Sequence, residues 1–523
     1  MACNRLLRIL RPVSLLFVIG IGLSGCASDW PAFRHNILRS AHQLNVTALS
    51  DPVSLPTLHI GSGWPFQPPG ALAFRASPIV YNGRVYIGNG NGRLYALDAV
   101  TGALLWQYPP LASPPLTSTF TCNPSSVGIA SSAAIAHIGG TDAVIFGAPD
   151  QSAPGSGLGE GRLFALNAAT GAVIWKSPVI AQLTSGDTHE QIGYSSPLIF
   201  SNRVYIGIAD HCDNPIQRGK VVAVRLDTGA IEGAFSFVST GPPRGGGVWS
   251  SVAAWIGGLY VTTGNVNVGG PEPVPNHGLS LLRLDPSTGS VIWKHQPVPY
   301  ILDGDPDWSA GATVMLASCG TLIASTMKDG WTHAVNAGDG TLGLPSAQWV
   351  FPPATIPFTP GDGTTHGDIR YLRPGAAWGD VYITMTGGLN VTTNVTSGYR
   401  RLHALNACAS SVDRIRWMID VPGASGTYAL GPPTVSRGMV FVGTSSGRLV
   451  VIADPSIWPG AGWRCSNPDV LNANCLASGF TFVPEPSVLA NIQLDGQILT
   501  EPALANGRVY VATNAGKLYM LEP

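Results

Sequence analysis

Only 11% of the 523 residues are Asp, Glu, Lys or Arg, so clustered charge stands out. Asp303-Gly304-Asp305-Pro306-Asp307-Trp308 gathers carboxylates at alternate positions. Asp210-His211-Cys212-Asp213 sets two more around a His-Cys pair, ahead of Arg218-Gly219. Lys328-Asp329-Gly330 holds a cation beside an anion. Gly245-Gly246-Gly247-Val248-Trp249-Ser250-Ser251 brings a large ring onto a glycine run, and Thr263-Gly264-Asn265 offers an amide oxygen. A carboxylate can accept a proton, and carboxylate and amide oxygens can bind a hard cation. An ammonium stabilises developing negative charge, and an indole face stacks on a planar ligand. Each residue also has a plainer reading: an acidic turn beside Gly and Pro, a hairpin lysine, a core tryptophan, an Asn that opens a turn. Other chemistries lack their signatures: the chain has no His-Glu-x-x-His and no phosphate loop.

The elements that must position these residues repeat. The clearest copy is Ser77-Pro78-Ile79-Val80-Tyr81-Asn82-Gly83-Arg84-Val85-Tyr86-Ile87-Gly88, then Gly92-Arg93-Leu94-Tyr95-Ala96-Leu97-Asp98, Thr101-Gly102 and Leu105-Trp106. It reads as four strands joined by an Asn-Gly turn, a Gly turn and a Thr-Gly turn, which is one propeller blade. Eight such copies follow one another, the last ending at Tyr519. The expected fold class is therefore all-β, an eight-bladed β-propeller over residues 55–523. The last copy lacks its fourth strand, and the segment Leu55 to Gly61 is the natural donor, so the two ends of the chain close the ring. Trp106, Trp175 and Trp293 end their copies and read as structural covers on the neighbouring blade. Insertions at 109–130, 265–277, 352–372 and 455–490 read as loops.

Residues 1–26 read as a targeting segment, followed by an arm or linker over 27–54. Arg5, Arg8 and Arg11 form a basic start, and Val13 to Leu23 is an apolar run too short for a comfortable membrane span. It ends in Leu23-Ser24-Gly25-Cys26, which resembles a bacterial lipobox with Cys26 as the acylated residue. Ala27 in place of Asp implies, by the usual sorting rule for such lipoproteins, an outer-membrane destination. More than one acyl chain on one cysteine suffices for stable anchoring. The plainer alternative is a secretory signal with a chance cysteine. Six further cysteines (122, 212, 319, 408, 465 and 475) suit an exported protein with up to three disulfides, and Cys465–Cys475 ranks first as neighbours within one insertion. A formal net charge of −1 gives no basic excess for nucleic acid. No Cys-x-x-Cys-His occurs, so no c-type haem is expected.

The repeated Ala-Leu-Asp, Thr-Gly and Trp pattern resembles the tryptophan-docking repeat of the pyrroloquinoline quinone (PQQ) dehydrogenases. The likeness is nearest to the haem-free polyvinyl-alcohol dehydrogenase type. It implies PQQ and Ca²⁺ on the axis, with Trp249 stacked under the quinone and Lys328 over its oxygens. Asn265, with Asp210 or Asp213, would bind calcium. Asp307 would be the base that takes the hydroxyl proton of an alcohol, with Asp305 beside it. Electrons would leave to a separate acceptor such as a soluble cytochrome. Two departures stand out. The family's vicinal Cys-Cys is replaced here by Ser125-Ser126 and Ser131-Ser132, and its Glu ahead of Arg-Gly by the shorter Asp210 or Asp213. Two other readings stay open: a non-catalytic propeller lipoprotein of the outer-membrane assembly type, and a polymer- or carbohydrate-binding propeller.

Overall fold

Each copy of the repeat folds into one antiparallel sheet whose strands pair in chain order. The structure, a computed structural model, describes residues 28–119, 126–150, 160–181, 192–209, 216, 218–236, 245–266, 277–297, 307–308, 310–328, 331–338, 347–351, 375–390, 395–409, 414–424, 430–465 and 482–523. Eight sheets of four or five strands follow one another, with one two-stranded ribbon besides. Blade one is typical, with strands Ile79–Tyr81, Arg84–Gly88, Leu94–Asp98 and Leu104–Tyr108. Its Asn82 and Gly83 both take positive φ, as a two-residue hairpin turn requires. In blade eight the fourth strand is His59–Ile60, paired with Leu518–Glu522. The ring is therefore closed by its own ends.

This order of strands defines two faces. Links between blades and loops from second to third strands lie on one, here called the loop face. Turns from first to second and from third to fourth strands lie on the other, the turn face. On the turn face each blade docks on the next. Trp106 Nε1 donates to Ala168 O at 3.2 Å, Trp175 Nε1 to Leu226 O at 2.9 Å, and Trp64 Nε1 to Val100 O at 3.0 Å. Each indole lies on the glycine of the receiving turn. A Cβ on Gly171 would sit 2.8 Å from the Trp106 ring, and Gly171 also takes a φ of +74°, so only glycine fits. Blade three uses Phe235 against Gly289 instead.

The axis is not empty. Residues 28–43, placed by the sequence in an arm, run through it and bond to the inner strands. The carbonyls of Trp30, Pro31, Ile37, Leu38, Ser40 and Ala41 accept from the N–H groups of Val80, Ile135, Ala254, Val314, Ala377 and Val435. These six donors are each the second residue of a blade's first strand. Ser28 O takes the N–H of Asn506 in blade eight. Blade three is reached by a side chain: Arg39 donates to Ser196 O at 3.3 Å and Pro197 O at 3.0 Å, and also to Val252 O of blade four at 2.9 Å. Arg34 meets Glu501 at 3.1 Å, and all three charged residues are buried. A serine from each of blades one to four adds an inter-blade link. Ser77, Ser132 and Ser196 donate their N–H groups to the hydroxyls of Ser132, Ser196 and Ser251, and Glu501 N–H donates to Ser77 Oγ.

Two expectations need amendment. The 455–490 insertion is not simply a loop. Strand Pro459–Cys465 pairs with the first half of Phe482–Gln493, extending blade seven past the turn face as a hairpin. The 109–130 insertion carries the ribbon Ser118–Thr119 with Ser126–Val127. A disulfide joins Cys319 in a turn of blade five to Cys408 in a turn of blade six, a pairing the sequence left unranked. The expected Cys465–Cys475 bond involves residue 475, which lies outside the described residues. Among the described residues no helix is long and apolar enough to cross a membrane.

Removing one partner of a buried ion pair leaves the other uncompensated. Glu501→Leu should therefore lower the unfolding free energy by about 3–5 kcal/mol. Arg34→Met added to it should restore part of that loss, read from urea midpoints of the single and double variants.

Candidate functional site

Four residues singled out in the sequence fall on the loop face of neighbouring blades. Trp249 and Asp307 lie in the links that lead into blades four and five. Asn265 and Lys328 lie in the second-to-third-strand loops of the same two blades. Three of the four meet directly. Lys328 Nζ lies 2.5 Å from Asp307 Oδ1, and Trp249 Nε1 donates to Asp307 Oδ2 at 2.9 Å. The Lys328 ammonium also lies 5.7 Å from the centre of the Trp249 ring, a cation–π contact. The Asp307 carboxylate is 3% exposed and the Lys328 side chain 13%, so the pair is largely dry.

Backbone register builds this cluster. Lys328 N–H donates to Asp307 O at 2.9 Å, and Trp308 bridges Met327. Lys328 and Asp307 thus sit opposite each other on two stitched segments. Buried Trp308 anchors the stitch. Its ring packs edge-on against His333 at 5.5 Å and His295 at 6.4 Å. The two imidazoles share a hydrogen bond of 3.1 Å between His295 Nε2 and His333 Nδ1. Burial pushes His295 down to about 4 and His333 to about 3, so both are neutral at physiological pH.

Glycines form the adjoining wall. A Cβ on Gly264 would lie 3.2 Å from Asp307 Oδ2 and 3.1 Å from Gly247 O, tight for both. Gly246 N–H donates to Asn265 O at 2.8 Å, which ties Asn265 to the strip before Trp249. The 210–218 loop is anchored on the same strip at both ends: Ala209 packs on Gly247, and Gly219 N–H donates to Gly245 O at 3.0 Å. Asp210, Asp213 and Asp305 lie outside the described residues. Among the described residues no group of three or more His, Cys, Asp or Glu side chains could hold a metal. Asn265 and Asp307 alone are fewer oxygens than the six to eight that Ca²⁺ takes.

Sequence reasoning missed a second pair at the mouth. Arg75 and Tyr194 stand two residues before Ser77 and Ser196, as Trp249 stands two before Ser251. Arg75 Nη1 donates to Tyr194 OH at 3.2 Å, linking blade one to blade three across blade two. The signal was available in the Ser starts of the repeats, but its meaning depends on the serine ladder. Below this level the Arg34, Arg39 and Glu501 layer closes the axis.

The axis is thus filled toward one face, and an aromatic ring, two cations, a carboxylate and a glycine wall stand at the other. A family model described as outer membrane protein assembly factor BamB matches residues 71–230, a stretch that ends before Gly245. The quinoprotein alcohol dehydrogenase PedH of Pseudomonas putida is 26% identical over 261 residues, 43% of this chain and 39% of that protein. The crystal structure of the quinohemoprotein alcohol dehydrogenase from Comamonas testosteroni gives a TM-score of 0.63 at 16% identity, covering 94% of this chain and 80% of that one. BamB from Moraxella catarrhalis gives 0.50 at 12% identity, covering 89% and 100%. Together with the structure, these likenesses show the eight-bladed propeller fold that this chain shares with quinoprotein dehydrogenases. The chain spans about two-fifths of the length of the curated relatives it matches.

His403 is held at about 3 by burial, and His35 and His42 in the arm at about 4. All five of these histidines therefore fall below their unfolded value. Their stabilisation is full above pH about 6.5 and is lost as pH falls toward 4. Glu501 works the other way, since burial pushes it up to about 7. Unfolding should take up about three to four protons near pH 5.5 and almost none near pH 8, read from the slope of unfolding free energy against pH.

Proposed function

We propose that this propeller binds PQQ at the loop end of its axis and oxidises an alcohol, with electrons passed to a separate acceptor. The observation that carries this reading is Asp307, a nearly buried carboxylate held between the Lys328 ammonium and the Trp249 indole N–H. A buried ion pair of this kind is costly for stability alone, and it stands beside an aromatic face in a glycine-walled mouth.

The residues present fit a flat, anionic quinone. Trp249 offers a face to stack on, Lys328 and Arg75 offer positive charge, and Gly245, Gly247 and Gly264 let the segments around them approach closely, where a Cβ would crowd Asn265 O, Ala209 and Gly247 O. Bound PQQ would supply the two-electron acceptor, with Ca²⁺ as its Lewis acid. Asp307 would take the hydroxyl proton of the alcohol, Oδ2 being oriented by the Trp249 N–H. Lys328 would balance the carboxylate's charge and draw positive potential toward the ring of Trp249. The arm layer below would keep water from entering along the axis. For calcium, Asn265 would need completion by Asp210 or Asp213. We further propose that the protein is exported and anchored through acylated Cys26, facing the periplasm from the outer membrane.

The second reading, a non-catalytic assembly scaffold, is favoured by the BamB-described match over residues 71–230. That match lies wholly in blades one to three and does not touch Trp249, Asn265, Asp307 or Lys328.

Purified protein mixed with PQQ and Ca²⁺ should take up quinone, seen by absorbance, and reduce dye with at least one member of an alcohol panel. Asp307→Asn should keep quinone uptake but slow dye reduction by about 10²–10⁴-fold. Trp249→Ala should weaken uptake about tenfold or more, the loss of one stacking contact of about 1.4 kcal/mol. No uptake by the parent protein, or equal uptake by Trp249→Ala, would favour the scaffold.

A further inference from the structure

We propose that the turn face is the surface this protein lays on a lipid bilayer, with the loop face and its site turned away from the membrane. The proposal rests on the reading of Cys26 as an acylated residue and adds to it the orientation of the whole molecule.

The first observation is the length of the tether. Cys26 stands only two residues before Ser28. Ser28 is already fixed on the turn face of blade eight: its carbonyl accepts from Asn506 N–H at 3.1 Å, and its hydroxyl donates to Asn506 Oδ1 at 2.6 Å. Asp29 follows with bonds to Asn82 N–H at 3.1 Å and Asn506 Nδ2 at 2.9 Å, the turns of blades one and eight. Two residues span at most about 7 Å, so acyl chains on Cys26 would hold this face at the bilayer with no room to swing.

The second observation is independent of the cysteine. The described exposed large apolar residues are unevenly placed. Val100, Ile256, Leu316 and Trp458 lie in or beside turns of blades one, four, five and seven, on the turn face. Leu44 and Val53 lie on the chain that crosses the same face after the arm, where Leu44 O accepts from Arg437 Nε in a turn of blade seven. Ile256 is 71% exposed at the tip of a two-residue turn, where burial offers it nothing within the fold. On the loop face only Leu72 and Leu111 of this group are found; Ile457 shares the turn of Trp458, and the others lie on fourth strands. The hairpin of blade seven leaves its sheet on the turn face as well, directly after Ile457-Trp458. Apolar tips with a tryptophan among them suit the headgroup–acyl boundary. Arg and Asp side chains both occur in these turns, so acyl chains and apolar tips, not net charge, carry the contact.

The bilayer is the occupant because the anchor would emerge within this surface. An orientation of this kind leaves the mouth at Trp249, Asp307 and Lys328 open to dissolved substrates and a dissolved electron acceptor.

The test uses the full chain expressed with its own leader in a bacterium and moved into vesicles of phosphatidylethanolamine and phosphatidylglycerol. The mass of the peptide containing Cys26 reports acylation separately from orientation. An environment-sensitive fluorophore is attached at Val100→Cys, Ile256→Cys or Leu111→Cys, with the parent protein as background. Lipid-borne nitroxide should quench the probes at 100 and 256 about threefold or more over that at 111, with little effect of salt. Equal quenching at all three positions, or greater quenching at 111, on an acylated protein overturns the orientation while leaving the anchor in place. An unmodified Cys26 overturns the anchor and the proposal with it. A blue shift at 256 that tracks protein concentration without lipid quenching would assign the apolar tips to contacts between copies, and would also overturn it. Ile256→Asp in a Cys26→Ala background should abolish whatever weak vesicle binding the unacylated propeller shows. Unchanged binding counts against the apolar tips.

Discussion

Eight inner strands turn their unpaired edges toward one narrow axis. A strand edge is a row of N–H and C=O groups that need partners, and a channel this tight cannot hydrate them all. The arm answers that need. It meets the same position, the second residue of the first strand, in six blades, and reaches blade eight through Ser28 and blade three through Arg39. To turn its carbonyls outward in so small a circle, the arm holds Arg34, His35, Arg39 and Ala41 at positive φ. Such conformations cost energy and persist only where many contacts fix them. The two arginines complete the plug because a guanidinium can bond several carbonyls at once, which an ammonium could not match in a fixed fork.

With the arm lying along the axis, the loop-face residues stand over a filled layer rather than an open channel. The serine ladder and the Arg34–Glu501 layer make a floor, and the residues two places earlier in each link make the mouth. Asp307 and Lys328 then form a pair because Trp308 and Met327 are paired, and Trp308 is held because two neutral histidines pack against it. The chemistry of the mouth is thus inherited from backbone register and from a small hydrophobic cluster behind it. The disulfide between blades five and six sits at the opposite face and binds two blades without touching the mouth.

The two faces divide the labour of the chain. Docking aromatics, glycine turns, the arm's first residues and the apolar tips belong to the turn face. The four candidate residues, in two links and two second-to-third-strand loops, belong to the loop face. The repeat is kept where blades stack, apart from the blade-seven hairpin and Phe235 on the turn face.

How much of this was legible in advance differs by residue. Eight copies of a short-strand repeat, four of them with a Thr-Gly turn, set blade number and the role of Trp106 and Trp175, because hairpin geometry and docking are local and recur. The same repetition made the departures at Trp249, Asn265, Asp307 and Lys328 visible as residue types with a possible chemistry. The sequence did not disclose that Arg34 and Arg39 fill the axis, that Glu501 answers Arg34 across 467 residues, or that Arg75 reaches Tyr194. It also read the blade-seven insertion as a loop and left Cys319–Cys408 unranked. Those contacts join segments far apart in the chain, and their partners are chosen by the closure of the ring. By itself the sequence determined a ring of blades and the types of residue placed in its links. Only the tertiary structure decided which of them meet, because closing the ring brings separate links to one axis and leaves the arm no other place to go.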